Sequence, residues 1–279
     1  MSSSILYQDS NLTQNIIKNE LNQTGPGFWN VRSRFRILAK LIDIQTQMSF
    51  IQLYTGNFLV IDIDELNDHL RQEINHLTDN GNTIEAVIGT YPFHTLSFPS
   101  FYKSYPNAAY YGTPRHLRRL TQIPWSGNLN DCTVRTLWQP DVELRVPAGT
   151  EFINPQPESS NHFISVFVYH LSSNTLHVND TIVYADKPNF LFRLFGYKHD
   201  SPYLFRDWMR NILHDWPFEN ICCAHMGVKI RGAHNVVALL NESESLFKKL
   251  RIKNRKRNPE GGLPIGNHYS MNIVGDECG

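Results

Sequence analysis

The stretch 84–112 constrains the fold of this chain most. Residues 84–88 are an apolar run typical of a short buried strand, and a glycine and two prolines prevent that strand from simply continuing. Apolar residues at mostly helical spacing over 96–105, then a second short run at 109–111, predict a strand, loop, helix, strand unit. Ligands of open α/β sheets lie in loops at the carboxyl ends of strands, so His94 in this loop is a candidate site residue. The alternative is a loop histidine without a task.

The rest of the chain alternates strand and helix patterns in two halves. Each half opens with runs that indicate antiparallel strands, with turns at 54–57 and at 171–174. The succession strand, helix, strand from 58–63 to 84–88 implies a parallel pair. An amphipathic pattern over 233–250 predicts one long helix. These patterns predict an α/β (α+β) fold in which two similar halves pack as a single domain.

The ends of the chain differ from this central part. Residues 1–27 are polar and end in a Gly-Pro-Gly breaker, which indicates an N-terminal arm before a domain spanning 28–251. Residues 252–279 are basic and then contain Gly and Pro, as expected of a tail. The run 248–257 has seven basic residues in ten, but no aromatic residue interrupts it. A solvated helix end is therefore favoured over a nucleic-acid contact.

Charge and cysteine content restrict the class of protein. The 26 basic and 26 acidic residues cancel, so no overall field attracts nucleic acid or membrane. No apolar run approaches the roughly 18 residues of a membrane span, and no secretion signal begins the chain. The four cysteines contain no C-x-x-C pair and suit reduced thiols rather than a disulfide framework. We expect a cytoplasmic protein without a membrane partner, of unknown oligomeric state.

Carboxylates and imidazoles occur repeatedly where the predicted strands end. These positions are Asp62, His94, His162, Asp180 and His225. Imidazole with carboxylate is the ligand set that suits zinc or iron in proteins. Because five such side chains recur across the chain, the pattern favours a metal site.

Four segments resemble motifs of the metallo-β-lactamase superfamily: 58–62, 162–168, 175–181 and 221–225. The first resembles the strand whose terminal aspartate, here Asp62, supports the site. The others resemble the segments that supply a ligand histidine (His162), the metal-bridging aspartate (Asp180) and the last ligand histidine (His225). The resemblance runs from about residue 44 to about 233 and implies a four-layer αββα sandwich with a one- or two-metal site at one edge of the sheets.

The chain departs from the family in the second motif. The family normally has His-x-His-x-Asp-His where this chain has Gly89-Thr-Tyr-Pro-Phe-His94. An ungapped count from the following helix places His94 at the last histidine of the motif. Gly89 and Tyr91 then replace the two earlier histidines, and Phe93 replaces the aspartate.

This degenerate motif limits the metal content that the resemblance implies. His94, Asp180 and His225 would remain as the second-metal site, whereas the first-metal site would keep only His162 and the shared aspartate. If the register slips, His94 belongs to the other site. Either way we expect one zinc or iron ion at most, weakly bound or absent.

Two pairs of basic side chains are further candidates. Arg115 and His116 could meet an anionic substrate at the rim of the site, or could belong to a solvated helix face. His170 and His177 lie on a predicted hairpin, where a surface or half-buried position is expected.

The resemblance implies hydrolysis of a small ester, thioester or lactone by metal-activated water. Asp180 would act as ligand and water-orienting base, beside the ligands His94, His162 and His225. The Tyr91 phenol could polarise the substrate carbonyl in place of a lost metal. The alternatives are a non-catalytic descendant that binds or scaffolds, and a non-haem iron redox enzyme on the same fold.

Overall fold

The structure is a computed structural model and describes residues 18–37, 42–150, 152, 163–184, 188–190, 199–225, 227–229, 231 and 233–257. The strands are β1 (Asn22–Gly25), β2 (Phe28–Ser33), β3 (Arg36–Ile37), β4 (Ile42–Asp43), β5 (Thr46–Gln52), β6 (Phe58–Ile61), β7 (Ile84–Gly89), β8 (Ala109–Gly112), β9 (Trp125–Asn128), β10 (Val142–Arg145), β11 (Phe167–His170), β12 (Thr175–Val178), β13 (Ile182–Tyr184), β14 (Pro188–Phe190), β15 (Asn220–Cys223) and β16 (Val228–Lys229). The helices are α1 (Asp68–Leu77), α2 (Phe98–Ser104), α3 (Pro114–Arg119), α4 (Cys132–Arg135), α5 (Ser201–Asp215), α6 (Ala233–Glu242) and α7 (Glu244–Arg257).

Two sheets dominate the described residues. The larger has the order β1-β2-β5-β6-β7-β8-β9, and the smaller has the order β10-β11-β12-β15-β16. In the larger sheet the pairs up to β5-β6 are antiparallel, whereas β6-β7, β7-β8 and β8-β9 are parallel. In the smaller sheet two antiparallel pairs precede the parallel pair β12-β15. The predicted antiparallel openings and the predicted parallel pair β6-β7 are confirmed.

The strands of the larger sheet carry apolar side chains on both of their faces. In β6, Val60 faces outward and packs in one cluster with Leu70 of α1 and Phe101 of α2. Its neighbour Leu59 faces the second sheet and shares a cluster with Val142 of β10. Successive strand residues point to opposite faces, so one strand serves both layers. This alternation accounts for two apolar layers, one between the larger sheet and helices α1 and α2, and one between the two sheets.

The outer face of the smaller sheet is covered by the remaining long helices. Leu176 of β12 shares a buried cluster with Phe205 of α5, Leu240 of α6 and Phe247 of α7. The order helices, sheet, sheet, helices is the predicted four-layer αββα sandwich, which is confirmed. Burying a Leu or Phe side chain contributes roughly 1.5–3 kcal/mol before the entropy of folding is subtracted, so these layers supply a core without any metal.

Several local expectations were wrong. The large sheet already begins at β1, before Phe28, where order was expected to start. The predicted helix 233–250 is two helices, α6 and α7, separated at Ser243. Helix α1 is capped by Asn67, whose side chain accepts a hydrogen bond from the Leu70 amide at 2.7 Å.

The thiols also differ from expectation. Cys222 and Cys223 are free and buried, but Cys132 is disulfide-bonded, so the expectation that all thiols are reduced was wrong. The cytoplasmic location that rested partly on it stays a prediction. Among the described helices, none combines the length and the apolar character that crossing a bilayer requires.

Candidate metal centre

Three of the four predicted ligands come together at one edge of the sandwich. His94 lies in the loop after β7, Asp180 follows β12 and His225 follows β15. One ligand atom from each lies within 4.8 Å of the other two. The Nε2 atom of His225 is 2.9 Å from Asp180 Oδ1, and the Nε2 atom of His94 is 3.7 Å from the same oxygen. Two imidazoles and one carboxylate are a donor set that fits a single zinc or iron ion.

The backbone fixes the orientation of the His225 ring. Its Nδ1 atom lies 2.6 Å from the carbonyl oxygen of Gln45, an acceptor, so Nδ1 carries the proton and donates it. The Nε2 atom is then turned toward Asp180, 2.9 Å from Oδ1. Burial acts to lower the pKa of His225, but the neighbouring Asp180 carboxylate outweighs it and the pKa is raised, so Nε2 has to release its proton before it can bind a metal. A ligand histidine is typically held by a hydrogen bond of this kind through its other ring nitrogen.

The electrostatics of the three residues are coupled. Burial acts to raise the pKa of Asp180, but the hydrogen bond with His225 and the charges of His94 and His225 outweigh it, and the pKa lies below its ordinary value. Burial lowers the pKa of His94, although Asp180 opposes this effect. At neutral pH the site therefore presents a carboxylate beside a neutral His94 imidazole, which are the protonation states that bind a metal.

A buried carboxylate holds the loop that carries His94. Asp62 follows β6 with φ of 53°, a left-handed conformation that costs a non-glycine residue on the order of 1–3 kcal/mol. Its carboxylate accepts hydrogen bonds from the Thr90 amide at 2.8 Å and from the Thr90 hydroxyl at 2.7 Å. Asp62 is not in the cluster of ligand atoms, and it supports that cluster through the backbone of the loop.

Thr90 also connects this loop to the one that carries Asp180. The Asn179 side-chain amide donates a hydrogen bond to the Thr90 hydroxyl, which in turn donates to Asp62. Asn179 directly precedes Asp180. The relative position of two ligand-bearing loops is therefore set by one threonine hydroxyl. No sequence pattern marks Thr90, because its role depends on contacts between strands that are distant in the chain.

His177 was expected at or near the surface, and this expectation was wrong. Its side chain is fully buried between the sheets, with Nε2 3.1 Å from Asp62 Oδ2 and Nδ1 3.0 Å from the Ser49 hydroxyl. The Gln47 amide nitrogen lies 3.3 Å from the same Nε2. The layer between the sheets is thus apolar at one end and polar beneath the candidate metal site. Alternation along the strands does not predict where the apolar part ends.

A buried arginine joins this polar layer to the strand that leads to His225. Arg32 donates hydrogen bonds to the carbonyl oxygens of Cys223 at 2.5 Å and Ala224 at 3.1 Å. Burial lowers its pKa from the ordinary value. Arg32 therefore fixes the two residues that precede His225, a role that no sequence pattern indicates.

Tyr91 fills the space beside His94 and Asp180. Its side chain is 1% exposed, and its ring centroid lies 4.9 Å from that of His94. Burial, together with the adjacent Asp180 carboxylate, raises the pKa of the phenol well above its usual range. Among described residues the hydroxyl has no partner with good hydrogen-bond geometry. The side chain is therefore enclosed by the protein, and it points toward Asp180.

The two residues predicted for the rim are buried. Arg115 and His116 are both fully inaccessible, so neither forms an exposed rim or a solvated helix face. The His116 Nδ1 atom accepts a hydrogen bond from the Thr113 amide at 3.1 Å, within the capping box of α3. Burial lowers the pKa of His116 to about 4. The ring packs directly against the backbone at Gly89, where an added Cβ would lie 2.8 Å from Nε2.

Two further histidines, His162 and His170, remain to be placed. His162 lies outside the described residues, so its assignment as a ligand stays a prediction. His170, expected at or near the surface, is 1% exposed and sits between the Ser172 and Ser173 hydroxyls, each at 2.8 Å. That expectation was wrong, because the β11–β12 hairpin packs against β2 at this end.

Comparisons with solved structures decide the fold. The DIM-1 metallo-β-lactamase matches with a TM-score of 0.58 and 13% identity, covering 84% of this chain and 98% of that chain. FIM-1 from Pseudomonas aeruginosa, in its mono-zinc form, matches with a TM-score of 0.57 and 10% identity, with the same coverage of both chains. A metallo-β-lactamase from Erythrobacter litoralis gives 0.53 and 13% identity, covering 80% of this chain and 92% of that chain.

The chain has the metallo-β-lactamase fold. No family model and no curated protein matches the sequence. In this fold the centre formed by His94, Asp180 and His225 lies where the resemblance placed it, at one edge of the two sheets. The low identity means that the likeness establishes architecture, and the chemistry rests on the residues of this chain.

Proposed function

We propose that this protein is a hydrolase with a single metal ion, acting on a small-molecule ester, thioester or lactone. The observation that carries the proposal is the convergence of His94, Asp180 and His225, with three ligand atoms within 4.8 Å of one another. Three protein ligands with one position left for water are the usual arrangement of a catalytic zinc site. FIM-1, a protein of the same fold, was solved in a mono-zinc form.

A zinc ion held by these residues would polarise the substrate carbonyl and lower the pKa of a water molecule. Asp180 would orient an attacking water molecule and take its proton on a carboxylate oxygen, and the hydrogen bond from His225 Nδ1–H to the Gln45 carbonyl holds the His225 ring in place. Tyr91 keeps its proton because burial and Asp180 raise its pKa. Its neutral, buried hydroxyl lies beside the Asp180 carboxylate and helps to hold that carboxylate in place.

The same tyrosine supports one ion rather than two. Tyr91 occupies the space beside Asp180 that a second ion and an imidazole would need, and Gly89 brings no ligand. The other proposed ligand of a second site is His162. A site with only His162 and the shared Asp180 would have two protein ligands, fewer than catalytic zinc sites use.

Metal analysis tests the proposal. Protein purified without added metal and then titrated with zinc should bind at most about one ion per chain, and His225→Ala should remove that binding. His214→Ala is the matched control, because that side chain is 89% exposed and lies on the surface of α5. Zinc-dependent hydrolysis of a panel of esters, thioesters and lactones should be lost in the first variant only. Two tightly held ions in the wild type would contradict the proposal.

A non-catalytic binding protein is the second candidate. It is favoured by the close His225–Asp180 contact of 2.9 Å and by the buried Tyr91, which together fill the site without an ion. The third candidate, an iron redox enzyme, uses the same three ligands. The metal found after purification separates the candidates: zinc supports hydrolysis, no metal supports the binding protein, and iron supports redox chemistry.

A further inference from the structure

A histidine beneath the metal centre contacts the carboxylate that holds the His94 loop. The Nε2 atom of His177 lies 3.1 Å from Asp62 Oδ2, and its Nδ1 atom lies 3.0 Å from the Ser49 hydroxyl. Asp62 in turn accepts hydrogen bonds from the amide and the hydroxyl of Thr90. These groups form one chain of buried polar contacts that ends at the loop carrying His94.

A serine, a histidine and an aspartate in this order are also the side chains of a nucleophilic triad. The Ser49 and His177 side chains are fully buried, however, and Asp62 is only 1% exposed. A substrate therefore cannot reach the Ser49 hydroxyl, and the contacts of His177 serve the structure of the site rather than a nucleophilic attack.

The neighbouring Gln47 amide determines which nitrogen of His177 carries a proton. The Gln47 amide nitrogen lies 3.3 Å from Nε2, but its two N–H groups donate to the carbonyl oxygens of Val178 at 2.8 Å and Cys222 at 3.3 Å. Neither of them is left for the histidine. Because the carboxylate of Asp62 accepts hydrogen bonds and donates none, Nε2 carries a proton and donates it to Asp62.

This hydrogen bond helps to keep Asp62 ionised inside the protein. Burial acts to raise the pKa of Asp62, but the hydrogen bond from His177, together with smaller contributions that include the Thr90 hydroxyl, outweighs it and the pKa lies below its ordinary value. As a carboxylate, Asp62 accepts from both polar groups of Thr90. The Thr90 hydroxyl also accepts a hydrogen bond from Asn179, the residue before Asp180. A displaced Asp62 would therefore disturb both loops at once.

We propose that His177 is a positioning residue of the metal centre: it holds Asp62 in place, and Asp62 acts through Thr90 on the loops that carry His94 and Asp180. This inference rests on the proposed metal site, because these loops supply two of its three ligands. The effect belongs to the Nε2 donor of His177, since this atom alone contacts Asp62.

Two substitutions separate the two nitrogens of the His177 ring. The side-chain nitrogen of glutamine is as many bonds from Cβ as Nε2 is, whereas that of asparagine is as many bonds from Cβ as Nδ1 is. His177→Gln therefore keeps a donor for Asp62, and His177→Asn loses it. His170→Asn is the matched control, because His170 is 1% exposed on the neighbouring strand β11 and contacts the Ser172 and Ser173 hydroxyls instead.

Two measurements on the full-length protein compare these variants. Zinc affinity, measured by competition with a chelator, should fall about 10–100-fold in His177→Asn and change less than about threefold in His177→Gln and His170→Asn. Hydrogen exchange of the Thr90 amide in the metal-free protein should become about tenfold faster in His177→Asn only, because the acceptor of that amide is no longer held. Urea unfolding of each variant shows whether a change in zinc affinity merely follows a loss of stability.

In a protein that binds zinc, the inference fails if His177→Asn leaves the zinc affinity or the Thr90 exchange unchanged. It also fails if His177→Gln or His170→Asn loses as much as His177→Asn. A wild type that binds no zinc refutes the proposed hydrolysis, and exchange of the Thr90 amide then still decides the role of His177. If His177→Asn does not fold, NMR of the ring nitrogens in the wild type, assigned with His177→Gln, decides instead: a proton on Nε2 supports the inference and its absence overturns it.

Discussion

His170 should make the stability of this protein fall in mild acid. Burial lowers its pKa from 6.5 to about 4 in the folded state, although Asp141 opposes this. The unfolded chain therefore takes up the proton first: the contribution of this group is complete above about pH 6.5 and is lost as the pH falls toward about 4. With these two pKa values, proton linkage predicts that the free energy of unfolding falls by about 2 kcal/mol between about pH 7.5 and about pH 5.

Urea unfolding at both pH values, for the wild type and for His170→Gln, measures this contribution. Glutamine can still bond to the Ser172 and Ser173 hydroxyls but does not titrate, so the variant should lose about 2 kcal/mol less than the wild type over this interval. Groups that titrate elsewhere, including His116, act equally on both proteins and cancel. His214→Gln, at an exposed site, should reproduce the wild-type pH dependence. Equal losses in the wild type and in His170→Gln would refute the reasoning.

Three further predictions concern the metal centre. His225→Ala should abolish zinc binding in titration calorimetry and still unfold cooperatively in urea, because the apolar layers form the core; loss of cooperativity would mark it as a structural residue. Tyr91→His should raise the zinc stoichiometry, and the gain should disappear when His162→Ala is added; because the tyrosine is buried, the substitution should cost about 1–3 kcal/mol of unfolding free energy. An unchanged stoichiometry would show that the register of the second motif is wrong. Thr90→Val should lower zinc affinity and cost about 1–3 kcal/mol, whereas Thr90→Ser should restore both; equal behaviour of the two variants would exclude a role for the hydroxyl.

The layers of the fold could be predicted because each strand carries its own pattern. The run 58–61 is apolar throughout, which predicts a strand buried on both faces, and Val60 and Leu59 do pack in different layers. The break at Ser243 could not be predicted in the same way, since apolar spacing continues across it from α6 into α7.

The candidate centre could be predicted only in part. His94, Asp180 and His225 each follow the end of a strand, and sequence patterns locate the ends of strands well. His177 and Arg32 lie within strands on the inter-sheet face, where a polar residue looks like a surface residue until the second sheet is placed over it. Arg115 and His116 were misplaced for the converse reason, because a basic helix end usually faces water but α3 packs inward.

The packing at Gly89 has a consequence for anyone who wishes to engineer a second ion into this protein. A side chain at this position would collide with the His116 ring and with Phe98, whose Cζ atom would lie 2.9 Å from its Cβ. Gly89→His alone would therefore overpack the interior before it could offer a nitrogen to a metal. Recovery of the first histidine of the motif therefore requires space at both His116 and Phe98 at the same time, so this ligand, unlike a histidine at position 91, cannot be regained by one substitution.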